Sequence, residues 1–271
     1  MFNFLHVHKF DFFMLQETHS KISDETYWKA ECGGYVSFSH GEIHSRCVCV
    51  LVNPKTPIHV LDTISDPFGR YLLLVIECSN EKFFLINVYA PNRDEPSFFL
   101  EVSNYFDHHL YCNVIWGGDF NFVFNLLLDK TGGIQRTNFK ARDEVLSIMQ
   151  TFNLIDIWRE RYLNTRAFTW HSNIDENIHC RLDFFLISRS LINNVYDCGL
   201  SSWFGSDHCS VTLCRPIIPH SNIRGRGSWK LNCSLLNDPG YRDFISDVVD
   251  QTICNYSHLD DCSLWELLKF S

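Results

Sequence analysis

Apolar residues along the chain fall into short runs separated by polar connectors, a pattern of many strands with few helices between them. Phe10 to Gln16 reads as a strand ending at Glu17, and Arg46 to Val52 as a second. Arg70 to Glu77 and Lys82 to Tyr89 form an expected antiparallel pair around Ser79-Asn80-Glu81. Cys112 to Trp116 is a buried run leading into Gly117-Gly118-Asp119, and Leu182 to Ile187 and Cys209 to Cys214 complete the strands. Two segments carry helical spacing instead: Pro96 to Leu110, with Phe98, Phe99, Val102, Tyr105 and Phe106 on one face, and Lys140 to Asn153, with Val145, Ile148, Met149 and Phe152. Such an order favours a mixed-sheet α/β or α+β domain over a doubly wound parallel sheet. A composition rich in Pro, Gly, Ser and Arg from Pro216 to Ser228 reads as a linker. The expected division is therefore a domain over 1–216 and a linker with an acidic helical segment over 217–271, including amphipathic stretches at Tyr241 to Val249 and Leu264 to Phe270.

With 271 residues, 45% hydrophobic and 20% charged, the chain can bury a large core, and 23 Phe favour aromatic packing in it. The 12 Cys are scattered without a Cys-x-x-Cys pair, which disfavours zinc and fits reduced thiols in an intracellular protein. No stretch approaches the roughly 18 apolar residues of a membrane span. His6, His8, Lys9 and Asp11 interrupt the apolar N-terminus, unlike a signal peptide. The net charge of −9 argues against a protein coated in phosphate-binding cations, though not against a local groove. Much of that charge lies in the tail, where seven acids after Asn237 face only Arg242 and Lys269.

Four polar clusters stand at strand ends, where a scaffold holds side chains rigidly. They are Gln16-Glu17-Thr18-His19, the Asn87 to Asn92 segment NVYAPN, Gly117-Gly118-Asp119-Phe120-Asn121, and Asp183 of RLDFFLIS together with Ser206-Asp207-His208. Taken singly, a strand-end acid is more often a solvated cap than a ligand, and a lone His more often a hydrogen-bonded surface residue than a catalyst. Taken in order, LQETH, NVYAPN, GGDFN, RLDFFLIS and SDH resemble the endonuclease/exonuclease/phosphatase superfamily of DNase I-like proteins. The likeness runs from about Asp11 to Arg215 and is strongest to the endonuclease domain of LINE-type retrotransposon polyproteins.

That resemblance implies a four-layer α/β/β/α sandwich of two packed mixed sheets. It implies phosphodiester hydrolysis by a DNA-nicking endonuclease, with Mg²⁺ or Mn²⁺ as the cofactor. Glu17 corresponds to the principal metal ligand and Asp207 to a second, in keeping with the one or two carboxylates that Mg²⁺ takes. Asp119 corresponds to the general base, Asn121 to a phosphate holder, and His208 to a phosphate-contacting imidazole oriented by Asp183. Tyr89 and Asn92 would line the scissile phosphate, and Thr169 of AFTWHS would flank it. Trp170 is open between base stacking and core packing, whereas Trp158, Phe184 and Phe185 read as core. The basic stretch Lys130, Arg136, Lys140, Arg142, Arg159, Arg161 and Arg166 is open between a solvated helix face and a DNA track. DNA is the expected partner of a monomer, with no membrane and no small-molecule cofactor, and a nuclear location if the chain is functional.

Only 16 residues precede Glu17, too few for the family's opening Asn-bearing strand and helix together with the strand of Glu17, and Asn3 is too close to substitute. The segment from Ser228 (SWKLNCSLLNDPGYRDFI) resembles the connector that leads towards a reverse transcriptase in those polyproteins. A chain truncated at both ends is therefore expected. Two other functional readings stay open: a catalytically inactive retrotransposon relic, and a phosphatase or phosphodiesterase of the same superfamily.

Overall fold

The computed structural model describes residues 10–41, 46–202, 206–216 and 238–257. Two compact units make up the chain, Met1–Asn222 and Ile223–Ser271. Fourteen strands and five α-helices are defined in the described residues.

The centre of the first unit is a hairpin. β5 (Tyr71–Cys78) and β6 (Glu81–Tyr89) pair antiparallel through a two-residue turn, Ser79-Asn80, in which both residues have positive φ. This left-handed turn matches the twist of the flanking strands. β4 (His59–Ser65) extends one side, while β7 (Asn113–Asp119), β12 (Asp183–Ser188) and β9 (Leu154–Asp156) extend the other, in the order β4-β5-β6-β7-β12-β9. Because β6 and β7 are parallel and the other pairs antiparallel, this six-stranded sheet is mixed.

A second sheet is built from β1 (Phe12–Leu15), β3 (Val48–Val52) and β2 (Val36–Ser39), in the order β1-β3-β2. β13 (Asp197–Ser202) and β14 (Cys209–Cys214) form a separate pair. Alternation along β5 and β6 divides the core. Tyr71, Leu73, Val75, Phe84, Ile86 and Val88 pack under α2 (Pro96–Ser103) and α3 (Phe139–Thr151). Leu72, Leu74, Ile76, Phe83 and Leu85 face Val48, Val50 and Val52 of the second sheet. The outer face of that sheet covers Trp28 of α1 (Glu25–Cys32). The layers are thus helix, sheet, sheet, helix, each joined by apolar faces of period two.

Several boundaries move from those expected. The second strand starts at Val48 because Arg46 and Cys47 have φ of 71° and 72°, incompatible with extended backbone. The helix expected to reach Leu110 ends at Ser103, and a separate 3-10 turn covers Asp107–His109. AFTWHS contributes only β10 (Trp170–His171), which joins β11 (His179–Cys180) and β8 (Lys130–Thr131) in a small sheet. β4 has no counterpart in the sequence pattern: it is an exposed edge with a bulge between Val60 and Asp62, so neither face shows clean alternation.

The basic stretch is largely occupied within the fold. Arg159, in α4 (Ile157–Arg161), bonds Asp129 and three backbone carbonyls, and the N-cap of that helix is Asp156. Arg161 holds the carbonyls of Val195 and Tyr196, and Arg166 that of Leu127. In the second unit, α5 (Pro239–Asn255) is capped by Asp238, which accepts from the Tyr241 amide. The linker after Pro216, the SWKLN motif, Asn3 and the Leu264 to Phe270 stretch lie outside the described residues.

Candidate active site

Strand register assembles the site. The last residues of β6 and β7, Tyr89 and Asp119, are paired across the parallel ladder, and Asp119 is paired in turn with Asp183 at the start of β12. Three neighbouring strands therefore present Tyr89, Asp119 and Asp183 at one level of the sheet end. Two glycines let the strands close up here. A Cβ on Gly118, whose φ is 135°, would stand 2.0 Å from the Val88 carbonyl oxygen, and one on Gly117 would stand 2.5 Å from the Phe185 ring.

His208, immediately before β14 and bridged to Trp170, completes the group. Its Nδ1 lies 2.9 Å from Oδ2 of Asp183. Burial alone would push the imidazole's pKa down, but the Asp183 hydrogen bond and charge, helped by Asp119 and Asp207, push it up to about 9. His208 is therefore a cation at neutral pH and a donor from both ring nitrogens. Asp119 is buried, and desolvation followed by the charge of Asp183 raises its pKa well above the ordinary carboxylate value. A carboxylate in that setting is a stronger base than one in water.

Asp183→Asn should bring the His208 titration midpoint down by more than one pH unit, followed by NMR of the imidazole. The folded pKa exceeds the ordinary 6.5, so this ion pair stabilises the fold fully below about 6.5. That stabilisation is lost as pH rises through about 9. A midpoint that does not move would remove Asp183 as the cause.

The other expected residues are distributed around this pair. Glu17, exposed with φ of 50°, lies just past β1, beside the Tyr89 phenol, whose pKa burial and then the Glu17 carboxylate raise. Asn121 donates from Nδ2 to the Ala90 carbonyl at 2.8 Å and to Asp119 Oδ2 at 3.2 Å, and its backbone N–H donates to Asp119 Oδ1 at 2.9 Å. Both amide hydrogens are thus used inside the protein, one of them on the Asp119 carboxylate. Thr169 is fully buried, and its hydroxyl accepts from the amides of Leu182 and Asp183. It supports the Asp183 segment from beneath and presents no surface to DNA. Asp207 turns Oδ2 to Trp170 Nε1 at 3.0 Å and to Asn173 Nδ2 at 3.3 Å, which also settles Trp170 as a hydrogen-bonded partner of this loop. Asn92 is exposed beside the Pro91 turn.

One cation stands outside the sequence motifs. Arg70 donates from Nη1 to the Tyr89 carbonyl at 3.3 Å and holds its guanidinium 5.9 Å from the Tyr89 ring centroid. Counting back from the Ser79-Asn80 turn places residue 70 opposite residue 89, so the hairpin register carries the signal.

Glu17, Tyr89, Asp119, Asp183, Asp207 and His208 all line one cavity of about 1030 Å³. No group of three or more His, Cys, Asp or Glu side chains forms a metal cage among the described residues. The donor set is instead all-oxygen and open, with an exposed Glu17 carboxylate and an Asp207 carboxylate whose Oδ2 takes both of its side-chain donors among the described residues, which fits a hard, largely hydrated cation such as Mg²⁺.

No family model matches the chain. Solved structures share its architecture: AP endonuclease LMAP from Leishmania major has a TM-score of 0.64 at 19% identity, covering 78% of this chain and 80% of that one. An AP endonuclease from Archaeoglobus fulgidus gives 0.64 at 18% identity, covering 79% and 92%. The chain thus shares the layered α/β/β/α fold of these AP endonucleases. In sequence it is similar to the transposon TX1 uncharacterized 149 kDa protein of Xenopus laevis, 30% identical over 237 residues, 86% of this chain and 18% of that protein. Recombination repair protein 1 of Drosophila melanogaster is 27% identical over 241 residues, 75% of this chain and 32% of that protein. An exodeoxyribonuclease of Bacillus subtilis is 27% identical over 225 residues, 75% of this chain and 87% of that one. The chain thus spans less than a third of the length of the first two relatives and most of the third. Within the described residues, no helix is long and apolar enough to cross a membrane.

Proposed function

We propose that this chain hydrolyses phosphodiester bonds in DNA, nicking one strand with Mg²⁺ as a transposon-encoded endonuclease does. The observation that carries the reading is that strand register sets buried Asp119 beside Asp183, whose Oδ2 lies 2.9 Å from His208 Nδ1, with all three facing one open cavity. Phosphodiester hydrolysis needs a base for water and donors for charge that develops on non-bridging oxygens. Asp119 takes the proton of the attacking water, held in orientation by Asn121. His208 donates its Nε2 hydrogen to a non-bridging oxygen, while Asp183 occupies Nδ1. Tyr89 adds a phenol at the cavity, backed by the Arg70 guanidinium 5.9 Å from its ring centroid, and exposed Asn92 adds an amide from the bend after β6. Glu17, with Asp207, would hold the divalent cation, which when bound neutralises phosphate charge. Action on chromosomal DNA would require a nuclear location, which this reading includes.

The test is conversion of supercoiled plasmid to open circles with Mg²⁺. EDTA should stop it, and His208→Ala should slow it by about 10²- to 10⁴-fold with an unchanged circular dichroism spectrum. Nicking that survives the histidine change would reject this mechanism. Folded wild-type protein that nicks nothing would return the inactive reading to the front.

A further inference from the structure

We infer that Asn87 is a positioning residue for Glu17, fastening the strand that carries it to the opposite sheet; this inference rests on the reading of Glu17 as a cation ligand. Asn87 lies in β6 on the face that carries Phe83, Leu85 and Tyr89, among the apolar side chains between the two sheets, and is fully buried. Its Nδ2 donates to the carbonyls of Leu15 and Cys49, both at 3.0 Å. Its Oδ1 accepts from Gln16 Nε2 at 2.6 Å. One side chain from the six-stranded sheet thereby grips the last registered pair of the β1–β3 ladder, Leu15 and Cys49, and the residue next to Glu17.

An apolar side chain would fill the same volume, so packing alone gives no reason for an amide here. The reason is register. Apolar faces slide over one another at little cost, whereas a buried amide with three specific partners is satisfied at one alignment only. Shifting β1 by one same-face step, two residues, would carry Glu17 about 7 Å along the strand, out of reach of the Tyr89 hydroxyl. β1 needs this fastening because, among the described residues, β3 is its one ladder partner. Asn87 thus fixes the Leu15 carbonyl and the Gln16 side chain, the two residues that lead directly into Glu17.

The experiment uses the full chain in two assays. Mn²⁺ binding is measured by calorimetry, and amide exchange is measured on metal-free protein at Thr18 and His19, whose N–H groups bond the Cys47 and Arg46 carbonyls. Asn87→Leu and Asn87→Asp should each weaken Mn²⁺ binding about tenfold and speed exchange at both amides about tenfold or more. Leu85→Ala, on the same face of β6, serves as the control: at an equal drop in melting temperature it should move neither readout. If Leu85→Ala matches Asn87→Leu in both assays, the role is structural and the inference falls. Should the Asn87 variants fail to fold, Gln16→Met removes the bond to Oδ1, together with the longer bond from Gln16 to the Met14 carbonyl, leaves the Asn87 Nδ2 bonds in place, and must shift both readouts the same way to a smaller extent. Wild-type protein that binds no Mn²⁺ would overturn the cation reading, while the exchange data would still decide whether Asn87 places the Glu17 segment.

Discussion

Asp119→Asn is expected to abolish nicking while raising the melting temperature. The amide keeps the size of the carboxylate and its oxygen can still accept from the Asn121 backbone N–H, while the longer bond from Asn121 Nδ2 is lost. What it cannot do is take a proton from water, and a loss of about 10²- to 10⁴-fold follows. The gain in stability has a separate cause. In the folded chain Asp119 is desolvated and faces the negative charges of Asp183 and Glu17, which together raise its pKa. A carboxylate whose folded pKa lies above its unfolded value weakens the fold once pH exceeds the unfolded value. The increase in melting temperature should therefore be larger at pH 8 than at pH 5. Calorimetric melts at the two values check this, and a variant less stable than wild type at pH 8 would contradict the account.

The second large effect is structural. Arg181→Met should lower stability by about 3–5 kcal/mol, or on the order of 10 °C in melting temperature for a unit of this size. Arg181 is 1% exposed, donates from Nε to Asp129 at 2.8 Å and from Nη2 to Asp156 at 2.7 Å, and lies 4.6 Å over the Phe184 ring. Asp129 is itself fully buried and also takes Arg159. Removing Arg181 leaves two carboxylates sharing one remaining guanidinium and backbone donors, inside the protein. Adding Asp129→Leu should recover only part of the loss, because it removes one of the two uncompensated carboxylates while Asp156 still lacks its guanidinium and Arg159 loses its carboxylate. Thermal denaturation of the single and double variants measures both. A single variant within about 1 kcal/mol of wild type would mean that water reaches the network. Since Arg181 stands two residues before Asp183, the single variant should also blur the Asp183–His208 pair.

Much of the site is legible in the sequence. Glu17, Tyr89, Asp119, Asp183 and His208 each border an apolar run, and a polar residue at the end of a strand is visible in local alternation alone. Their convergence follows from the β6–β7 and β7–β12 registers, which align Tyr89 with Asp119 and Asp119 with Asp183. Arg70 is within reach of the same counting. The supporting roles are not. Asn121 and Thr169 stand in motifs that point them at phosphate or DNA, yet their hydrogen bonds go to Asp119 and to the Asp183 segment.

Where most strands lie, the mixed-sheet class, and which acids and histidine stand at strand ends can all be read from the chain, since these depend on neighbours within a few residues. Which polar groups are buried, and what they hold, is settled only when the chain folds. Asn87 meets Leu15 across 72 positions of chain, Arg181 meets Asp129 across 52, and His208 meets Asp183 across 25. Local periodicity records whether a residue faces a core, not which distant carbonyl or carboxylate waits there. For a buried polar side chain that partner sets the energy, because desolvation is offset only by the specific bonds made.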